Sequence, residues 1–420
     1  MKVLLVHKYW RTLSGAEMYF HDVERLLRAQ GHQVKIFTTN FNCEGGIDEK
    51  EIRDDVIYGE PVNYLHGSMA SRITNLPALI YNKKNKALMS KLLSEFKPDI
   101  VHCFSLYIVL SPSILDACRE ANIPVVMSCN DYKHICTNYR LYHHGKICMD
   151  CKGGKLYMPI INNCCKNSFE FSVASSLESM VHEFLNIHRK NIHTFLFESK
   201  FMLNTTREFW GTEKKYNLEF LGKPFHAPTY QAHPDCEDYI LFMGRLSDEK
   251  GVEVLLNAMK LVPEAKLKVV GRGPHEQSLK ELAQTLELKN VDFAGSIWGD
   301  AAKDQIRNSR FVVLPSLWHE NFSYVITETF ALGKALLGSD TGGTPENIIP
   351  NKTGNVYPAH DHTKLAEHIR NMWNDKEGTR QMGMNAKKLV DENFNDTVFS
   401  KRLNEIYTNV INSYHKRSKQ

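Results

Sequence analysis

Glu320 and Glu328 stand eight residues apart in the stretch HENFSYVITETFALGKALLGSDTGGTPE. Carboxylates accept hydrogen bonds from sugar or ribose hydroxyls and repel a bare phosphate. Ser323 is placed to cap a helix whose body is VITETFAL and whose stop is Gly333. The apolar run FVVLP at 311–315 reads as a buried strand just before it. Glu320 is therefore expected on a strand-to-helix loop, and Glu328 further into the helix. In an α/β domain that loop lies at the carboxyl end of the strand, where ligands bind. The helix start adds unpaired N–H groups and a positive dipole end, which suit phosphate. Such a loop fits a ligand carrying both hydroxyls and phosphate. The plain alternative is two solvated helix glutamates.

The positive charge for such a ligand comes from RLSDEKG at 245–251, just after the run YILFMG. Arg245 falls past the carboxyl end of that strand, beside Gly244, and Lys250 falls at the entry to the next helix. A guanidinium fork and a point charge together suit a diphosphate; alone they read as solvated surface residues. The strand LKVVG leads into Gly271-Arg272-Gly273, where the glycines would let backbone approach a base or ribose, or simply make a turn. No third glycine follows, so this is not a dinucleotide fingerprint. Gly342 and Gly343 give tight turns after a further strand. Near the N-terminus, Ser14 and Gly15 open a helix after the first strand, as a plain cap or an anion-facing turn.

The elements that must position these residues alternate along the whole chain. Strand-like runs fall at 2–7, 33–39, 99–104, 124–129 and 193–199, then at 239–244, 267–271, 291–295, 311–315 and 335–339. Amphipathic stretches such as VEVLLNAMKLV lie between them, so buried parallel sheets are expected. The 420 residues suit two domains. We expect residues 1–222 as the first, a proline-bearing linker at 223–238, a second domain at 239–395, and a terminal helix at 396–420 that crosses back to the first.

Hydrophobic content of 42% and charged content of 24% are ordinary for a globular protein. A net charge of +4 gives no argument for nucleic acid. The opening apolar run, Val3 to Val6, is strand-length rather than signal-peptide length, and no run long enough to span a membrane appears. A cytoplasmic location with mostly reduced cysteines is expected.

Taken together, Ser14 to Glu17, Gly244-Arg245, Lys250-Gly251, Gly271 to Gly273, the pair Glu320 and Glu328, and Gly342-Gly343-Thr344-Pro345-Glu346 resemble the GT-B glycosyltransferases, specifically the retaining family 4 (group 1) type. The resemblance covers nearly the whole chain. It implies two Rossmann-like doubly wound domains facing a cleft, with a nucleotide-sugar donor (UDP- or GDP-linked) on the C-terminal domain. It implies that Arg245 and Lys250 neutralise the diphosphate, Glu328 bonds the ribose, and Glu320 lies beside the transferred sugar. Asn321-Phe322-Ser323 match a Gly-Phe-Gly segment whose amides meet sugar and phosphate, and Gly15 matches a first-domain glycine near the phosphates. Asn130 stands where the family commonly has the histidine of a His-Asp-Tyr stretch. Asparagine can donate one hydrogen bond but cannot titrate, so either retained activity with altered donor preference or a weakened enzyme is expected. The implied reaction retains anomeric configuration, needs no metal, and builds cell-surface polysaccharide or lipopolysaccharide on a glycan or lipid-linked acceptor. A GT-B-fold sugar-nucleotide epimerase and a non-catalytic binding protein are the competing readings.

Two further features are separate. Cys136, Cys148, Cys151 and Cys164-Cys165 form C-x11-C-x2-C-x12-C-C within a non-periodic insertion at about 130–170. The first four suit a structural zinc, with His134, His143 and His144 in reserve, or else are thiols in a loop. Arg72, Lys83, Lys84, Lys86 and Lys91 with Leu79, Ile80, Leu88, Leu92 and Leu93 make a basic amphipathic stretch. It either meets an anionic inner leaflet, making the protein peripheral on that membrane, or covers the sheet as an ordinary helix.

Overall fold

A computed structural model describes residues 1–11, 15–40, 53–62, 69–107, 109–211, 216–233 and 237–417. The chain divides into two compact units. One comprises Met1–Arg140, Met149–Pro224 and Phe399–Gln420; the other comprises Leu141–Cys148 and Phe225–Val398.

In chain order the strands are β1 (Lys2–Val6), β2 (Gln33–Thr38), β3 (Val56–Tyr58), β4 (Ile100–Cys103), β5 (Val125–Cys129), β6 (Tyr142–His143), β7 (Lys146–Ile147), β8 (Thr194–Phe197) and β9 (Leu218–Phe220). They continue as β10 (Ile240–Met243), β11 (Leu267–Val270), β12 (Val291–Gly295), β13 (Phe311–Leu314), β14 (Ala335–Ser339) and β15 (Gly354–Tyr357). The first unit holds a seven-stranded sheet in the order β3-β2-β1-β4-β5-β8-β9, and the second a six-stranded sheet in the order β12-β11-β10-β13-β14-β15. Every pairing in both sheets is parallel. β6 and β7 make a separate antiparallel hairpin.

All ten strand-like runs of the sequence are strands; the central ones are apolar on both faces and buried, whereas the edge strand β12 alternates half-buried and exposed residues. Val3, Leu4, Leu5 and Val6 of β1 are fully buried. In the second unit, Phe242, Val269, Val313 and Leu337 come from four adjacent strands into one core with Leu255, Leu256 and Ile369 of the flanking helices. Each such side chain contributes about 1.5–3 kcal/mol on burial. The strands the sequence reading did not find are β3, β9 and β15, all at sheet edges, and the hairpin. Edge strands are short and only half covered, so they lack a continuous apolar run.

The terminal helix Asp396–Arg417 enters the first unit from Phe399 on. Its Tyr407 is fully buried, with its hydroxyl 2.7 Å from Nδ1 of His102 on β4. The other ring nitrogen lies 2.8 Å from Ser128 Oγ. Burial pushes the His102 imidazole down to about 3, so it sits there neutral.

Candidate functional site

In the second sheet the strand order reverses between β10 and β13. Chains leaving the carboxyl ends of those two strands turn to opposite sides, and the gap between them is the usual ligand position of a doubly wound sheet. Arg245 and Lys250 lie on the chain leaving β10, and Ser316 to Glu320 on the chain leaving β13. Topology alone therefore brings the cations and the first glutamate together.

Their contact is direct. Lys250 Nζ lies 2.5 Å from Glu320 Oε1, with the lysine side chain 20% exposed and the glutamate 7%. Ser316 Oγ donates to the same oxygen at 2.8 Å. Burial alone would raise the Glu320 carboxyl; the Lys250 charge, and hydrogen bonds from Lys250 and Ser316, outweigh it and hold the group below the usual carboxylate range. The lysine also stands 5.4 Å from the centroid of the Trp318 ring. Arg245 is exposed, and its guanidinium makes no hydrogen bond or ion pair among the described residues. It is a cation available to an incoming anion.

Three loops are laced into one rim here. Leu317 N donates to Glu249 O at 2.8 Å, Gly343 N donates to Glu320 O at 2.7 Å, and Ser339 Oγ donates to Ser316 O at 2.6 Å. Gly342 has φ +59, and a Cβ there would fall 2.3 Å from Glu320 O, so the GGTPE turn must be glycine to hold the loop carrying Glu320. The glycines of Gly271-Arg272-Gly273 have a similar use. A Cβ on Gly271 would meet Gly244 O at 1.8 Å, and one on Gly273 would meet Leu246 O at 2.2 Å. The close approach expected of these two residues toward a base or ribose is, in the structure, an approach to the β10 loop carrying Arg245.

Glu328 lies in the helix Tyr324–Ala331 and is half-buried, with Oε1 accepting from Tyr230 OH at 3.1 Å. Asn321 and Phe322 are buried, and the Phe322 ring packs on Phe394 with centroids 5.8 Å apart. Ser323 occupies the N-cap position with extended backbone, but its side chain makes no capping hydrogen bond, contrary to expectation. The first helical residue, Tyr324, is buried.

In the first unit, Gly15 is the first residue of the helix Gly15–Ala29 after β1, while Ser14 lies outside the described residues. Asn130 and Glu198 follow β5 and β8, whose last residues Cys129 and Phe197 are register partners. The two side chains are thereby neighbours: Asn130 Nδ2 donates to Glu198 Oε1, and Lys223 Nζ closes on Glu198 Oε2 at 3.0 Å. Asn130 Oδ1 is buried with no partner among the described residues. One of the two Asn130 N–H groups is thus given to Glu198, and Oδ1 is left as an unused acceptor. Burial raises the Glu198 carboxyl, with Lys223 opposing. Glu198, Lys223, Ser316 and Tyr230 were not found from the sequence. None sits in a motif, and only register and loop packing bring them in.

In the cysteine-bearing segment the Cys164 thiol is pushed up by its hydrogen bond to Cys165, by burial, and by the nearby Cys165, Cys136 and Cys151. Cys136 Sγ is bonded to Asn138 Oδ1 at 3.1 Å, and the Cys164 thiol holds the Cys165 thiol down by a hydrogen bond. Among the described residues no three His, Cys, Asp or Glu side chains are placed to hold an ion. The basic amphipathic stretch forms the helices Met69–Ile80 and Lys83–Phe96, whose Leu79, Leu92 and Leu93 are buried in the first unit. Lys84 and Lys86 pair with Glu60 and Glu120. Among the described residues no helix is long and apolar enough to cross a membrane.

Residues 229–389 match the family described as glycosyl transferases group 1, and residues 13–148 match glycosyltransferase family 4. The chain is 23% identical to the sulfoquinovosyl transferase SQD2 of Arabidopsis thaliana, over 96% of its own length and 72% of that protein. It is 26% identical to O-antigen chain mannosyltransferase C of Escherichia coli, over 48% of its own length and 58% of that protein. Its fold is similar to that of Anabaena HepE, solved in complex with UDP, with TM-score 0.68, 16% identity and coverage of 97% and 100% of the two chains. A second HepE structure, with TM-score 0.67, holds UDP-glucose. With two doubly wound parallel sheets and both halves matched, the chain belongs to the group 1 glycosyltransferases of the GT-B fold.

Proposed function

We propose that the protein transfers a hexosyl unit from a UDP- or GDP-sugar to a glycan or lipid-linked acceptor, with retention, in the making of a cell-surface polysaccharide. The observation that carries this reading is the Lys250–Glu320 pair beside an unpaired Arg245 at the reversal of the second sheet. A diphosphate entering there meets one available cation and one cation held by a carboxylate. In the reaction the bond between the anomeric carbon and the diphosphate oxygen breaks, and negative charge grows on the diphosphate. Arg245 and Lys250 stabilise that charge where it develops, which needs no metal. The acceptor oxygen bonds to the anomeric carbon on the same face, and its proton passes to the departing diphosphate. Glu328, oriented by Tyr230, accepts from the ribose hydroxyls. Asn130 Oδ1 accepts from a hydroxyl of the transferred sugar.

The UDP and UDP-glucose bound to HepE support a nucleotide-sugar donor. The test is a panel of UDP- and GDP-sugars with candidate acceptors, read for free nucleoside diphosphate and extended product. Nuclear magnetic resonance of the new linkage checks retention. Epimer formed without diphosphate release would make the protein an epimerase, and binding without turnover a non-catalytic binder.

A further inference from the structure

The helix Phe169–Phe184 of the first unit is built inside out. Its inward face is polar: Ser172, Ser176, Glu178 and His182 are buried. Glu178 pairs with the buried Lys133 at 2.7 Å, and His182 Nε2 lies 2.7 Å from Ile80 O. Its outward face is apolar. Phe169, Val173, Leu177, Met180 and Phe184 recur every three or four residues, which places them on one stripe. Phe169 is 62% exposed and Phe184 88% exposed, at the two ends of the stripe. Rotating the helix to hide the stripe would strand the Lys133–Glu178 pair, so the polar anchors hold it outward. An apolar stripe held in the open marks a contact with something apolar.

The surroundings say what. The two acids beside the stripe are each covered by an arginine, Glu170 by Arg72 at 3.1 Å and Glu183 by Arg189. Lys166, just before the helix, and Lys83, at the helix junction beside Ile80, are exposed and have no acidic partner among the described residues. The rim is therefore net basic. A second copy of the chain fits poorly. A stripe about 24 Å long and about 10 Å wide offers roughly 240 Å², far below the roughly 800 Å² per partner of a stable protein interface. A lipid surface has no such threshold, because apolar insertion and attraction of basic side chains to anionic headgroups add.

We propose that the helix Phe169–Phe184 docks the first unit onto an anionic bilayer surface, with the apolar stripe at the acyl boundary and Lys83, Lys166 and Arg189 among the headgroups. The apolar contact comes from this helix, and of the basic stretch at 72–93 it is Lys83 that adds charge beside it. A lipid-linked acceptor in the proposed reaction would lie in the same surface, but docking is read without substrate and stands or falls separately.

The test is co-sedimentation of the full chain with vesicles of phosphatidylcholine containing about one third phosphatidylglycerol, against phosphatidylcholine alone. Binding to the anionic vesicles is expected, weakening as salt is raised. The double variant Phe169→Glu/Phe184→Glu is expected to lose about tenfold or more of that binding, with an unchanged melting curve because both rings are exposed. Phe184→Trp should keep binding and show a blue shift of its indole emission on vesicles, measured against the wild type. Indifference of the wild type to anionic vesicles, equal binding by the double variant, or an unshifted indole would overturn the proposal. So would a lipid-free dimer that the double variant converts to monomers, since the stripe would then belong to a second copy.

Discussion

Lys250 Nζ and Glu320 Oε1 are 2.5 Å apart on loops leaving β10 and β13, the two strands between which the second sheet reverses. The sequence reading gave these residues separate tasks, one on the diphosphate and one beside the sugar. In the proposed reaction their pairing couples the tasks: the carboxylate assigned to the sugar also aims the cation assigned to the leaving group.

Lys250→Ala is expected to lower kcat/KM for the nucleotide sugar by about 10²–10³-fold, the scale of one lost contact to developing charge. Glu320→Ala should lower kcat with a smaller change in KM. The double variant should cost less than the product of the two, because each removes the partner of the other. Steady-state rates of nucleoside diphosphate release check all three, and fully multiplicative effects would break the coupling.

Glu328→Ala should act chiefly on donor affinity, raising KM about tenfold, the scale of a lost hydrogen bond to a charged group. Tyr230→Phe should give a weaker version of the same change, because the phenol only orients the carboxylate. Titration with UDP and GDP by calorimetry reads this directly, and an unchanged affinity in both variants would return Glu328 to an ordinary helix glutamate.

Asn130→His should alter preference among donor sugars rather than raise transfer by orders of magnitude. The imidazole would stand against Glu198, which Lys223 already holds. It would replace an acceptor with a group that donates or titrates. Rates across the donor panel decide it, and a rise of several orders of magnitude for every sugar would refute it.

Glu24 predicts the acid limit of the first unit. Burial alone would raise its carboxyl, but hydrogen bonds from His21, Arg53 and Arg28 hold it down to about 2. A depressed folded-state value means stability that is complete above the ordinary carboxyl value of about 4.5 and is lost as pH falls toward about 2. With the arginines partly solvated, about 2 kcal/mol is expected. Glu24→Gln should lower Tm at neutral pH and flatten the Tm profile across that acid window.

Tyr407→Phe removes the hydroxyl that meets His102 Nδ1 and leaves a buried ring nitrogen without its partner. A loss of about 1–3 kcal/mol is expected. Thermal melting of the full chain measures it, and an unchanged melt would show that the terminal helix is held by its apolar contacts alone.

Much of this was legible beforehand because the physics is local. A strand covered on both faces must be apolar throughout, so the central runs announced themselves, and the edge strand β12 was found with them by its apolar residues at alternate positions. A helix after such a strand must begin at its carboxyl end, so Gly15, Arg245, Lys250 and Glu320 could be assigned to one kind of edge from order alone. The edge strands β3, β9 and β15 escaped because half-covered strands carry mixed residues. The basic stretch at 72–93 was legible as amphipathic, but periodicity does not say which side the apolar face meets.

The sequence by itself determined the alternation, the two parallel sheets, the family, and the residue types at each strand end. Only the tertiary structure decided who touches whom. Register set Asn130 against Glu198 and tied one of its amide N–H groups to that carboxylate. Topology set Lys250 against Glu320. Polar anchors at Glu178 and His182 turned an apolar stripe outward. Contacts between residues distant in the chain depend on strand order and on which face a helix buries. Those are settled by packing the whole unit, and no local pattern carries them.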